Sequence, residues 1–125
     1  MKHIKNGLYF GTAGIPNSSP KLDTFSGIKK LKEINLDVME LEFVHGVKIS
    51  TTTANKINLF SKQYQIFLSV HAPYYINLNS LEPEKIEASI NRIVKTCEIG
   101  SYCGAKDIVI HPGYYHNMDK LIAYN

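Results

Sequence analysis

Cysteine is scarce in this chain: Cys97 and Cys103 are the only two among 125 residues. They stand six apart with no second pair, which excludes a disulfide framework and a CxxC metal knuckle and makes a reducing cytoplasm the expected compartment. Cys97 falls on the apolar side of a predicted helix and is expected to pack in the core as a small hydrophobe, with Cys103 doing likewise just before Gly104. No apolar run approaches the roughly 18 residues needed to span a bilayer. The opening Met1-Lys2-His3-Ile4-Lys5 leads into polar Asn6 rather than a signal core, so neither membrane attachment nor secretion is expected. Fourteen basic against eleven acidic residues give a net charge of +3, yet the basic residues never form a run of five, so charge alone points only weakly to a polyanionic partner. Neither G-x-G-x-x-G nor G-x-x-x-x-G-K follows the first apolar run, and a nucleotide cofactor is therefore unsupported.

What is present is an alternation of short apolar runs with amphipathic stretches. Leu8-Tyr9-Phe10-Gly11 reads as a buried strand closed by glycine, and the loop after it ends in Ser19-Pro20, a hydroxyl N-cap with proline at the first helical position. Leu22, Phe25, Ile28, Leu31 and Ile34 would form the buried stripe of that helix. Val38 to Phe43 reads as a second strand in which Glu40 and Glu42 share one face. Ser50 to Thr53 offers N-caps for a second helix through Ile57, Leu59 and Phe60. Ile66 to Val70 is a third strand terminating on His71-Ala72-Pro73. A long helix follows, opened by Ser80, Glu82 and Glu84, lined by Ile86, Ile90, Ile93, Val94 and Cys97, and stopped at Gly104. Asp107 to Ile110 is the fourth strand and ends on His111-Pro112-Gly113.

Strand and helix alternate along the whole chain, and the strands are largely apolar. This predicts a parallel α/β architecture: residues 1–125 as a single domain holding four β/α units, the N-terminal half of a (β/α)8 barrel. The open doubly wound sheet is the alternative fold.

His71 and His111 each end a strand, and each is followed within two residues by a proline. Active sites of β/α barrels lie at the carboxyl ends of the strands, so adjacent strands would bring these imidazoles side by side at the mouth. Two neutral imidazoles suit a divalent transition metal such as zinc, although a catalytic zinc needs about three protein ligands. Glu40 and Glu42 could add a ligand or an outer-shell partner, or could be interior carboxylates held by hydrogen bonds. His3, His45 and His116 carry weaker signals. Tyr74 and Tyr75 follow the first histidine and Tyr114 and Tyr115 the second, an aromatic rim suited to stacking on or wedging between bases, or to capping a core. Lys48, Lys56 and Lys106 read as surface rather than phosphate contacts. No residue is identified as catalytic by pattern alone.

The stretch His71-Ala72-Pro73-Tyr74-Tyr75-Ile76-Asn77-Leu78, together with Val109-Ile110-His111-Pro112-Gly113, resembles the endonuclease IV family of abasic-site endonucleases, and Gly11-Thr12-Ala13-Gly14-Ile15-Pro16 is similar to the opening of its archaeal-type branch. The resemblance implies a zinc-dependent DNA-repair phosphodiesterase that cleaves 5′ of abasic sites in double-stranded DNA, using up to three zinc ions. His71 and His111 would be zinc ligands, with Tyr74 and Tyr75 on the loop that enters DNA at the lesion. The family's remaining ligands lie in the second half of its barrel, beyond Asn125. Activity of this chain alone is therefore doubtful, and its exposed strand edges invite self-association of two halves. Two other readings compete: a divalent-metal sugar isomerase or epimerase of the same barrel superfamily, and a non-catalytic half-barrel that binds DNA or a partner subunit.

Overall fold

The computed structural model describes residues 7–124, in the order β1 (Gly11–Ala13), α1 (Thr24–Glu33), β2 (Val38–Glu42), α2 (Thr51–Tyr64), β3 (Phe67–His71), α3 (Pro83–Cys103), β4 (Asp107–Val109) and α4 (Lys120–Ala123). The strands form one four-stranded sheet in chain order, and every neighbouring pair is parallel. Val38 pairs with Phe67 and Glu42 with His71 across β2 and β3, while His71 pairs with Val109 of β4. Successive parallel strands need crossovers, and α1, α2 and α3 supply them. His3 and the polar N-terminal stretch lie outside the described residues.

The alternation along β2 and β3 sorts their side chains to two faces. Met39 and Leu41 of β2 with Leu68 and Val70 of β3 are buried against Ile28 and Leu31 of α1, Ala54 and Ile57 of α2, and Ile99 and Cys103 of α3. The opposite face carries Val38, Glu40 and Glu42, then Phe67, Ser69 and His71, and then Val109. Phe67 and Val109 remain about two-fifths exposed there.

Local chemistry moves several boundaries away from those predicted. The first strand begins where Leu8 to Gly11 was expected to end, and Leu8 and Phe10 are exposed. Gly11 marks a close approach rather than a stop: a Cβ there would lie 2.0 Å from the Val38 carbonyl oxygen, so only glycine lets β1 enter the ladder at that point. Ser19 does not cap α1, because its hydroxyl donates to the Lys21 carbonyl within a turn. Asp23 is the cap instead, accepting from the Ser26 amide at 2.9 Å and the Ser26 hydroxyl at 2.8 Å. These two bonds hold its carboxyl below the ordinary range, and Leu22, expected in the buried stripe, lies upstream of the helix and is exposed. Ser50 caps α2 as predicted, accepting from the Thr53 amide, and Leu59 faces outward. Gly104 closes α3 with φ +75°.

The long helix α3 is rotated about its axis by about a quarter turn from the face its largest apolar residues suggest. Its buried line is Ser89, Thr96, Ile99, Gly100 and Cys103, while Ile90, Val94 and Cys97 point outward. The expectation that Cys97 packs in the core is therefore corrected, whereas Cys103 is fully buried. Close packing decides the rotation. A Cβ on Gly100 would sit 3.2 Å from Val70 Cγ2, so the small residues face the sheet and let the helix settle onto it. Burial also pushes the Cys103 thiol up to about 11. A disulfide-exchange reagent at neutral pH is accordingly expected to label Cys97 rapidly in the native protein and Cys103 only after denaturant is added. Equal native rates for both thiols would contradict this packing.

Candidate metal-binding site

β3 delivers His71 as its last residue, on the face away from the helices. The chain then turns through Ala72 and Pro73, both buried. His71 Nδ1 lies 2.8 Å from the Ala72 carbonyl oxygen. A carbonyl only accepts, so Nδ1 carries the proton and Nε2 presents its lone pair to the mouth of the sheet. His111 stands two residues beyond the end of β4 and reaches the same point. The two Nε2 atoms are 3.1 Å apart, with ring centroids 5.0 Å apart and planes inclined by 36°.

A separation of 3.1 Å suits two imidazoles directed at one centre. Zinc–nitrogen bonds of about 2.0–2.1 Å put adjacent nitrogens about 2.8–3.0 Å apart at an octahedral centre and about 3.3–3.4 Å apart at a tetrahedral one. The pair thus fits two neighbouring positions around a single cation. Among the described residues, no group of three or more His, Cys, Asp or Glu is arranged to hold a metal. Further ligands would have to come from outside this chain's described part.

Glu42 is the nearest carboxylate layer, in register with His71, and Glu40 sits one pleat below it. Partial burial raises the Glu42 carboxyl above its ordinary range, and the neighbouring Glu40 charge and a hydrogen bond with Glu40 push in the same direction; His71 opposes them. Both glutamates line a cavity of about 360 Å3 with His45 and Lys48.

The predicted aromatic pair divides in two. Tyr75 is held: the Arg92 guanidinium lies over its ring at 4.8 Å, and a Cβ on Gly46 would come 3.1 Å from its hydroxyl. Tyr74 is more exposed, meets His45 edge-on at 5.8 Å, and lines a cleft of about 300 Å3 with Ile76, His111, Gly113 and Tyr114. Tyr115 lies apart from that cleft, near Lys120.

Sequence reading missed how the loop bearing His111 is held. Asn77 and Asn79, from the loop after β3, grip it through the Tyr114 amide, the Tyr114 carbonyl and His116. Two asparagines two apart carry no signal of this by themselves, since their partners lie nearly forty positions away and are mostly backbone groups.

Residues 28–124 match the family described as the xylose isomerase-like TIM barrel. The chain belongs to that family. A relative from Methanocaldococcus jannaschii, described as an uncharacterized protein, is 47% identical over 118 residues, covering 94% of this chain and 41% of its own length. A probable endonuclease 4 from Listeria welshimeri serovar 6b is 49% identical over 45 residues, which is 35% of this chain and 15% of that protein. Among solved structures, endonuclease IV from Thermus thermophilus superposes with a TM-score of 0.61 at 17% identity, covering 72% of this chain and 35% of its own. D-psicose 3-epimerase, crystallised in the presence of D-fructose, does so with a TM-score of 0.62 at 18% identity, covering 91% and 44%. At these identities the structures establish the fold: a parallel half of a TIM barrel. The chain spans less than half the length of the relatives it matches.

The raised Glu42 carboxyl makes the stability of this chain depend on pH. A carboxyl whose folded value lies above its unfolded one contributes stability that is complete at acid pH and is lost as pH rises through the folded value. In chelator-treated protein, Glu42→Gln should therefore raise the melting temperature at neutral pH and leave it unchanged at a pH where both states are protonated. A decrease at neutral pH would show that the ionised carboxylate is stabilising.

Proposed function

We propose that this chain is the metal-binding N-terminal half of a zinc-dependent phosphodiesterase that acts on double-stranded DNA at abasic sites. The 3.1 Å approach of His71 Nε2 to His111 Nε2 is the observation that carries the reading. It joins the two motifs through which the chain resembles endonuclease IV, and the partial matches to probable endonucleases 4 support the same direction.

The roles proposed for the residues are these. His71 and His111 would hold zinc through Nε2, with the Ala72 carbonyl fixing the His71 tautomer. Zinc, when bound, supplies a water of lowered pKa and positive charge opposite the phosphate oxygens. Glu42, level with His71, and Glu40, one pleat below, would act as outer-shell groups able to accept a proton or orient a ligand. Tyr74, exposed beside the His111 cleft, would be the ring that enters a duplex, and Tyr75, under the Arg92 guanidinium, would set the loop that presents it. A nucleotide without its base costs least to extrude, so a lesion of this kind suits an aromatic wedge beside a metal site. Further ligands and the remaining walls would come from the rest of a barrel, or from a second half packed against the open sheet face.

The two carboxylates, Glu42 in register with His71 and Glu40 one pleat below, also suit proton transfer on a small polyol, which is the reading of a divalent-metal sugar isomerase or epimerase. One experiment separates the two. In a barrel-length protein carrying this segment, His71→Ala and His111→Ala should each weaken zinc binding by more than roughly 100-fold, beyond what loss of an outer-shell group produces, and should abolish nicking of an abasic duplex. Tyr74→Ala should keep zinc and weaken lesion binding. Unchanged zinc content in both histidine variants would refute the site, while metal binding with no action on DNA and turnover of a ketose would favour the sugar reading.

A further inference from the structure

The loop after β4 carries His111, yet residues 110–117 are all exposed, and β4 forms an edge of the sheet. Apolar packing therefore does not hold His111 in place. What holds it is a set of hydrogen bonds from the loop after β3. The Leu78 amide donates to the Pro112 carbonyl at 2.7 Å. Asn79 Nδ2 donates to the Tyr114 carbonyl at 2.6 Å. Asn77 Oδ1 accepts from the Tyr114 amide at 3.4 Å and from the Asn79 amide at 3.3 Å. With its oxygen so engaged, the Asn77 amide can only turn Nδ2 toward His116, whose Nε2 lies 2.8 Å away and must accept. The clasp fits so closely that a Cβ on Gly113, at φ +154°, would stand 2.5 Å from Asn77 Oδ1.

Asn77 is itself anchored from below. Its backbone N–H donates to the hydroxyl of Ser89 at 2.9 Å, and that hydroxyl donates to the Lys85 carbonyl of α3 at 2.7 Å. Ser89 and the neighbouring Ile76 are each 1% exposed. The line of support thus runs from the buried face of α3 through Asn77 to the exposed loop that bears His111.

We propose that Asn77 is a positioning residue: it transmits the rigidity of α3 and β3 to the loop after β4 and so sets the distance between the two imidazoles. It touches neither ring of the pair and acts through the Pro112–His116 segment. The functional consequence rests on the metal reading given above. The geometric statement is independent of it.

The test uses this chain in two measurements. One is the nuclear Overhauser effect between the His71 and His111 ring protons in metal-free protein. The other is a zinc titration. Wild type should show the contact. Asn77→Ala should lose it and bind zinc about 10- to 100-fold more weakly, the usual effect of removing a group that orients a ligand. Asn77→Asp should rescue both, because the carboxylate keeps the acceptor toward Tyr114 and His116 can present Nε2–H to the second oxygen. Should Asn77→Ala fail to fold, Asn79→Ala, which removes a bond at the loop surface, should still weaken the contact in a folded protein. A retained contact and unchanged affinity in Asn77→Ala, or equal failure of the Asp and Ala variants, would overturn the proposal. If neither this chain nor a barrel-length protein carrying it binds zinc, but the ring contact is lost on Asn77→Ala, the metal reading fails and the positioning role stands.

Discussion

Everything at the mouth of this half-barrel depends on the register of its parallel ladder. Pairing Glu42 with His71, and His71 with Val109, puts the carboxylate and the first imidazole in one layer and brings the chain of β4 to the height from which His111 reaches back. A slip by one residue would turn His71 toward the helices, where Leu68 and Val70 now sit, and would expose those two instead. The register is therefore held by the core rather than by the site. Met39, Leu41, Leu68 and Val70 occupy one face because α1, α2 and α3 cover it, and the alternation of the strand leaves Glu40, Glu42, Ser69 and His71 on the other.

The two faces differ in what stabilises them. On the helix side, burial of branched apolar side chains against small ones, such as Val70 against Gly100, supplies the driving force. On the open side, charged and hydrogen-bonding groups stand close together, and the Glu42 carboxyl is raised first by its partial burial and then by the Glu40 charge one pleat away. Phe67 and Val109 remain partly exposed on this face. In a closed (β/α)8 barrel the equivalent positions pack against the inner faces of the other strands, which accords with a chain that spans less than half of its relatives.

Much of the fold is legible in the sequence because it is written in local periodicity. The two-residue alternation of β2, the Ser50 cap of α2 and the Gly104 stop of α3 each depend on neighbours in sequence, and each appears where the residues predict it. The parallel order follows from strand and helix alternating. Features that depend on distant partners are not legible. Gly11 reads as a strand end, because its close approach to Val38 is set by a strand more than twenty residues away. Cys97 reads as core, because hydrophobicity does not reveal that α3 turns its small residues to the sheet. The adjacency of His71 and His111 follows from their equivalent positions on successive strands, whereas the Asn77 clasp, built largely of side chain to backbone bonds, leaves no periodic trace.

The central claim is that His71 and His111 are directed at one cation, and zinc-edge X-ray absorption on the zinc-loaded chain tests it most directly. The account predicts two imidazole nitrogens at about 2.0–2.1 Å, with the outer-ring scattering characteristic of histidine, and loss of one imidazole shell in His71→Ala and in His111→Ala alike. A spectrum without imidazole scattering, or one that neither substitution changes, would contradict it.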